Sequence, residues 1–166
     1  MQNLSSYDFI FVGGTENSYV FETEIGVIYE IKFKPSKYIF ESGFSYSDFT
    51  FEFVIKILEN PVHKSPPLDL RVSATTAEIF IDFFKNEQNI IVYTCETNDA
   101  KEYARFRKFN QWFKSFNDGT FKKEDFKLKD KLTNIIYYSS IIIKNNNPNK
   151  HEILAEFAEV MEQYLK

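Results

Sequence analysis

Three runs of alternating residues constrain this chain most. Tyr19, Phe21 and Thr23 alternate with polar positions, Val27, Tyr29, Ile31 and Phe33 do the same, and Phe49, Phe51, Phe53, Ile55 and Ile57 occupy every second place in a third run. A period of two turns one face of a strand to a core and the other to water, which no helix can reproduce. The first two runs meet at Ile25-Gly26 and read as a β-hairpin. Pro35 ends its second strand, because proline has no N–H to give the ladder. Residues 36–48 are rich in Ser and Tyr and read as a loop, with a short strand at Tyr38-Ile39-Phe40.

Beyond residue 75 the spacing changes. Ala77, Phe80, Ile81 and Phe84 follow the i, i+3, i+4, i+7 rule, which predicts a buried helix face starting from Thr76. A strand at Asn89–Thr94 comes next. Asp99 with Glu102 forms a capping box, which predicts a helix from Asp99 to Phe116 with Tyr103, Phe106, Phe109, Phe113 and Phe116 as its core stripe. Residues 121–129 alternate Phe and Leu with charged residues, and Asn134–Lys144 reads as a strand apolar on both faces. A last helix follows Asn149, with Leu154, Phe157, Ala158, Met161 and Leu165 facing inward. The expected architecture is a single α+β domain over residues 1–166, a mostly antiparallel sheet of five or six strands carrying three helices. Residues 1–18, with Phe9-Ile10-Phe11-Val12 and Gly13-Gly14, read as an edge strand or a loosely attached N-terminal arm.

Composition excludes several classes of function. Hydrophobic content of 43% and charged content of 27% belong to globular chains rather than disordered ones. No apolar run reaches the roughly 18–20 residues a bilayer demands, and Met1 to Ser6 lacks the pattern of a secretory signal. One cysteine, Cys95, forms no internal disulfide and suits a reducing cytoplasm. A net charge of −4 argues against a surface that attracts nucleic acid everywhere. The 19 Phe and 10 Tyr follow the same AT-rich codon usage as the abundant Ile, Lys and Asn, so most of them fill an ordinary core.

Binding-competent groups converge between Asn89 and Phe116. Carboxylates Glu96 and Asp99 stand at a strand end, and the helix after them carries Lys101, Arg105, Arg107, Lys108 and Lys114 against Asp99 and Glu102, a local charge of +3. Arg105 and Lys108 share a face with Lys101 one turn earlier, and Arg107, Gln111 and Lys114 form a second polar line. Such a face suits phosphate contacts, although a solvated amphipathic helix has the same appearance. His63 and His151 have no partner at a recognisable spacing, so neither zinc nor a cofactor is expected. Cys95 follows an apolar strand and reads as a small core residue rather than a nucleophile. Glu30-Ile31-Lys32 matches the Glu-x-Lys element of metal-dependent nucleases, but cross-strand charge alternation explains it equally. Gly13-Gly14 lacks the Gly-Lys-Ser/Thr of a phosphate loop. Glu152, Glu156 and Glu159 make an acidic stripe on the last helix.

Taken in order, Ile28-Tyr29-Glu30-Ile31-Lys32-Phe33-Lys34-Pro35, Cys95-Glu96-Thr97-Asn98-Asp99, Arg105-Phe106-Arg107-Lys108-Phe109-Asn110-Gln111-Trp112-Phe113 and Asn147-Pro148 resemble a small family of uncharacterised bacterial proteins, catalogued as a domain of unknown function. The resemblance runs from about Tyr19 to the end of the chain. It implies an intact domain, draws attention to Asp99, Arg105, Arg107 and Trp112, and implies no activity.

The expected function is a cytoplasmic interaction module of the accessory, immunity or defence-linked kind. It would bind a protein partner through the helix 99–116, with Glu96, Asp99, Lys101, Arg105, Arg107, Lys108 and Trp112 as candidate binding residues. Nucleic-acid or phosphate binding by the same cations is the alternative, and an enzyme using Glu96, Asp99 and the arginines on an acidic substrate is the third class. No membrane partner is expected, and the charge asymmetry leaves self-association open.

Overall fold

The computed structural model describes residues 4–40, 43–95 and 97–163. Seven strands form one sheet: β1 (Phe9–Gly13), β2 (Ser18–Glu22), β3 (Ile28–Pro35), β4 (Thr50–Glu59), β5 (Ile90–Thr94), β6 (Phe121–Lys129) and β7 (Ile136–Lys144). Their spatial order is β1-β2-β3-β4-β5-β7-β6. Every neighbouring pair is antiparallel except β4 with β5, whose parallel pairing requires a crossover. Helix α1 (Leu70–Phe83) supplies it, α2 (Glu102–Phe116) joins β5 to β6, and α3 (Lys150–Gln163) closes the order. The α+β class and mostly antiparallel sheet follow the sequence pattern, and the strands number seven rather than five or six.

Alternation along the strands separates two cores. Tyr19, Phe21, Ile31, Phe33, Phe53, Ile91 and Ile142 pack beneath α1 and α2. Ile90, Val92, Ile141 and Ile143 point the other way, against Ile153, Phe157 and Met161 of α3. β7, one place in from the β6 edge, is thus buried on both faces from Tyr138 to Ile143. The β2–β3 hairpin closes at Gly26, where φ is +77° and an added Cβ would meet Pro61 Cγ at 3.3 Å.

Several local expectations need correction. Residues 37–39 form a 3-10 turn rather than a strand, since Ile39 N–H returns to Ser36 O at 3.1 Å. Phe49 ends a second such turn, 45–49, and β4 starts one residue later. Helix α1 begins six residues before Thr76, capped by Asp69, whose carboxylate accepts from Arg71 N–H at 2.9 Å. Its buried side is also rotated: Val72, Ile79 and Phe83 face inward beside Ser73, Thr75 and Thr76, while Ile81 is 52% exposed. The three hydroxyls escape an apolar-spacing search, yet each is satisfied by a carbonyl three or four residues earlier, at 2.7 to 2.8 Å. On α3, Ile153 joins Phe157 and Met161 inside, and the expected Leu165 lies outside the described residues.

Candidate interaction surface

The turn after β5 sets up α2. Cys95 continues the ladder, its N–H bonding Tyr138 O at 3.0 Å, and it is 2% exposed. Burial pushes its thiol pKa up, so it packs as a small apolar side chain. Glu96 lies outside the described residues. Asp99 does not make the expected capping box. The helix starts at Glu102, with Lys101 at the N-cap and no side-chain cap. Asp99 instead accepts from Lys101 N–H at 3.1 Å and grips the Arg105 guanidinium with both oxygens, one bond being 2.8 Å. That fork holds the Asp99 carboxyl below its ordinary pKa. Left-handed Ala100, at φ +56°, turns the chain so that Asp99 reaches forward to the first turn of the helix.

The cations divide into two groups. Arg105 is engaged internally, whereas Lys101, Arg107, Lys108 and Lys114 form no ion pair among the described residues. Arg107 lies 5.8 Å from the centre of the Tyr103 ring, and Lys108 Nζ lies 5.0 Å from that of Trp112. By helical spacing Lys101, Arg105, Lys108 and Trp112 form one line, which ends at a groove between α1 and α2.

The groove has a volume of about 230 Å³ and is walled by Phe80, Ile81, Trp112, Phe113, Phe116 and Phe121. It exists because α2 does not bury its full aromatic stripe. Only Phe109 is buried; Phe106 and Phe113 are half-buried, and Tyr103 and Phe116 are 54% and 42% exposed, contrary to the expected core stripe. Sequence spacing alone does not place Ile81 here, since the i, i+3, i+4, i+7 pattern turns it inward on α1. A second groove, on the α3 face beside Tyr38, Glu52 and Tyr137, contains none of the described candidate binding residues.

Beneath α2 lies a polar clamp that the strand pattern conceals. Lys123, on β6, is 5% exposed at its side chain, bonds both Asp125 and Asn110, and lies 5.5 Å from the centre of the Phe106 ring. Burial lowers its pKa, although Asp125 pulls the other way. Ser140 donates to the same Asp125 at 2.6 Å. Read alone, Lys123 belongs to a charged edge strand, and only the register with Ile142 turns it under the helix.

Elsewhere, Glu30 receives Ser18 Oγ at 2.7 Å and Lys56 at 3.0 Å, while Lys32 pairs with Glu16. The Glu30–Lys32 element is therefore part of a cross-strand ion network. Among the described residues, no three His, Cys, Asp or Glu side chains are gathered so as to hold a metal ion, and no helix is long and apolar enough to cross a membrane.

No curated protein and no solved structure matches the chain. A family model does match, over residues 68–159, a span that contains α1, α2 and the groove between them. The chain belongs to that family, described as a family of unknown function (DUF6169).

Proposed function

We propose that this member of a family of unknown function is an interaction module, which receives a protein partner along α2 and in the α1–α2 groove. One observation carries the reading: an open apolar groove ends a line of cations, of which Lys101 and Lys108 have no carboxylate partner among the described residues. Partly exposed aromatic walls beside cations that form no ion pair among the described residues are the composition of a recognition surface rather than of an ordinary solvated helix face. The matching partner is a short amphipathic segment. Its apolar side chains would fill the space beside Trp112 and Ile81, and its acidic residues would face Lys101, Arg107 and Lys108. A reducing cytoplasmic setting suits the single thiol, and an accessory, immunity or defence-linked role is the proposed context.

Nucleic-acid binding is the second reading, favoured by Lys101, Arg107, Lys108 and Lys114 beside a partly exposed indole. An enzymatic role draws less support, since Asp99 is already bound by Arg105.

The test is capture of partners from extract by the full chain, compared with Ile81→Glu and Lys108→Glu chains of unchanged circular dichroism. Loss of the same identified protein in both variants supports the reading. Equal capture by all three chains removes it. Binding to single-stranded DNA or RNA that weakens steeply with salt and is lost in Lys108→Glu, with no protein captured, would establish the second reading instead.

A further inference from the structure

The two edges of the sheet are built from opposite chemistry. β6, at one edge, carries Lys122, Lys123, Glu124, Asp125, Lys127 and Lys129 among its nine residues. β1, at the other, is Phe-Ile-Phe-Val-Gly with no charge at all. Ile10, Phe11 and Val12 are 70%, 56% and 63% exposed, three consecutive apolar side chains in water. Among the described residues, the backbone of β1 has hydrogen-bonding partners only on β2. An unpaired, apolar, uncharged edge is a template for another strand.

We propose that β1 pairs antiparallel with β1 of a second copy of this chain, joining two sheets about a two-fold axis near Phe11. Self-pairing follows from three features. No like charges meet along the edge, so two copies approach without repulsion. Centring the axis on Phe11 sets Ile10 against Val12 of the other copy in both directions, so each exposed side chain gains an apolar neighbour. Pairing of β1 with β6 of another copy would instead bury lysines against apolar residues, and that head-to-tail contact is the one that would run on into a filament. The charged edge thus directs assembly to a closed pair. A bulge between Phe11 and Gly13 shortens the straight part of the edge. The contact is therefore small beside the roughly 1,200 Å² of a stable interface, and the pair dissociates on dilution. This surface shares no residue with the α1–α2 groove.

Sedimentation velocity of the full chain across a wide concentration range tests the proposal. The weight-average mass should rise from 19.7 kDa towards twice that value. An Ile10→Lys/Val12→Lys chain should remain monomeric, and a Lys127→Ala chain should associate like the original. Mild oxidation gives a reading that does not depend on the double variant folding. A Phe11→Cys chain should form a disulfide-linked pair, since a residue near the axis meets its own copy, while Leu132→Cys, at a position 95% exposed, should not. A mass that stays monomeric, an association that survives the double substitution, growth beyond two copies, or equal cross-linking of the two cysteine variants would each overturn the proposal.

Discussion

Helices α1 and α2 lie on the same face of one sheet and are held there in opposite ways. α1 buries Val72, Ala74, Ile79 and Phe83 together with three hydroxyl residues, and its single arginine is spent internally. Arg71 donates to Ser5 O at 3.0 Å and to Ser6 O at 3.3 Å, pairs with Glu24 and stacks 3.9 Å from the Tyr7 ring centre. α2 buries Phe109 alone, lacks a side-chain N-cap and turns Lys101, Arg107, Lys108 and Lys114 outward. Both carry aromatic residues at helical spacing, so that spacing does not distinguish a core helix from a surface one. The distinction lies in what fills the remaining positions. Small and hydroxyl-bearing residues let α1 settle onto the sheet, whereas long cations around α2 leave Tyr103 and Phe116 exposed to water.

The contrast should be largest in stability. Ile79→Ala in α1 removes a fully buried side chain and should cost about 2–5 kcal/mol in chemical denaturation, while Tyr103→Ala in α2 should stay within about 0.5 kcal/mol. Equal losses would erase the difference between the helices.

The clamp under α2 should show itself through pH. Lys123 has a pKa lowered by burial, so between that lowered value and the ordinary lysine range the unfolded chain binds more protons than the folded one. Its contribution makes stability rise with pH across that window. Tyr46, pushed up to about 12 by burial, works in the opposite direction above its ordinary value of 10.0, so the lysine effect is read as a difference between chains. Denaturation midpoints of Lys123→Met should lack the rise seen in the parent chain, and parallel pH profiles would show that the amine is not desolvated.

The smallest effect belongs to Asp99. Its pair with Arg105 is more than a third exposed, so Asp99→Ala should lower stability only slightly at low salt, with the loss fading as salt is added. The carboxyl pKa is lowered in the folded chain, so this contribution is present above the ordinary aspartate range and lost as pH falls through the folded value. A larger, salt-insensitive loss would make the pair part of the core.

Most strands were legible because period two survives in any strand with one wet face: the hairpin at Gly26 and the long run through Phe51 and Phe53 lie where alternation puts them. The helix boundaries were less so. Asp69 caps α1 ahead of a stretch whose buried positions include Ser73, Thr75 and Thr76, and a search for apolar spacing starts too late. Asp99 has the sequence of a capping residue but spends its carboxylate on Arg105. At the candidate site the cations of α2 could be read from the chain, while the groove could not. It depends on the rotation of α1, which brings Ile81 opposite Trp112. Lys123 was hidden for a related reason, since only pairing register decides which side of β6 lies under a helix.

Trp112 is the only tryptophan of the chain, and its fluorescence reports directly on the groove wall and on the cations beside it. The decisive measurement is collisional quenching of that emission by iodide and by caesium at matched ionic strength. The account predicts strong quenching by the anion, weak quenching by the cation, and a gap that narrows in Lys108→Glu. Equal and weak quenching by both ions would mean a closed groove with its charges neutralised, and would contradict it.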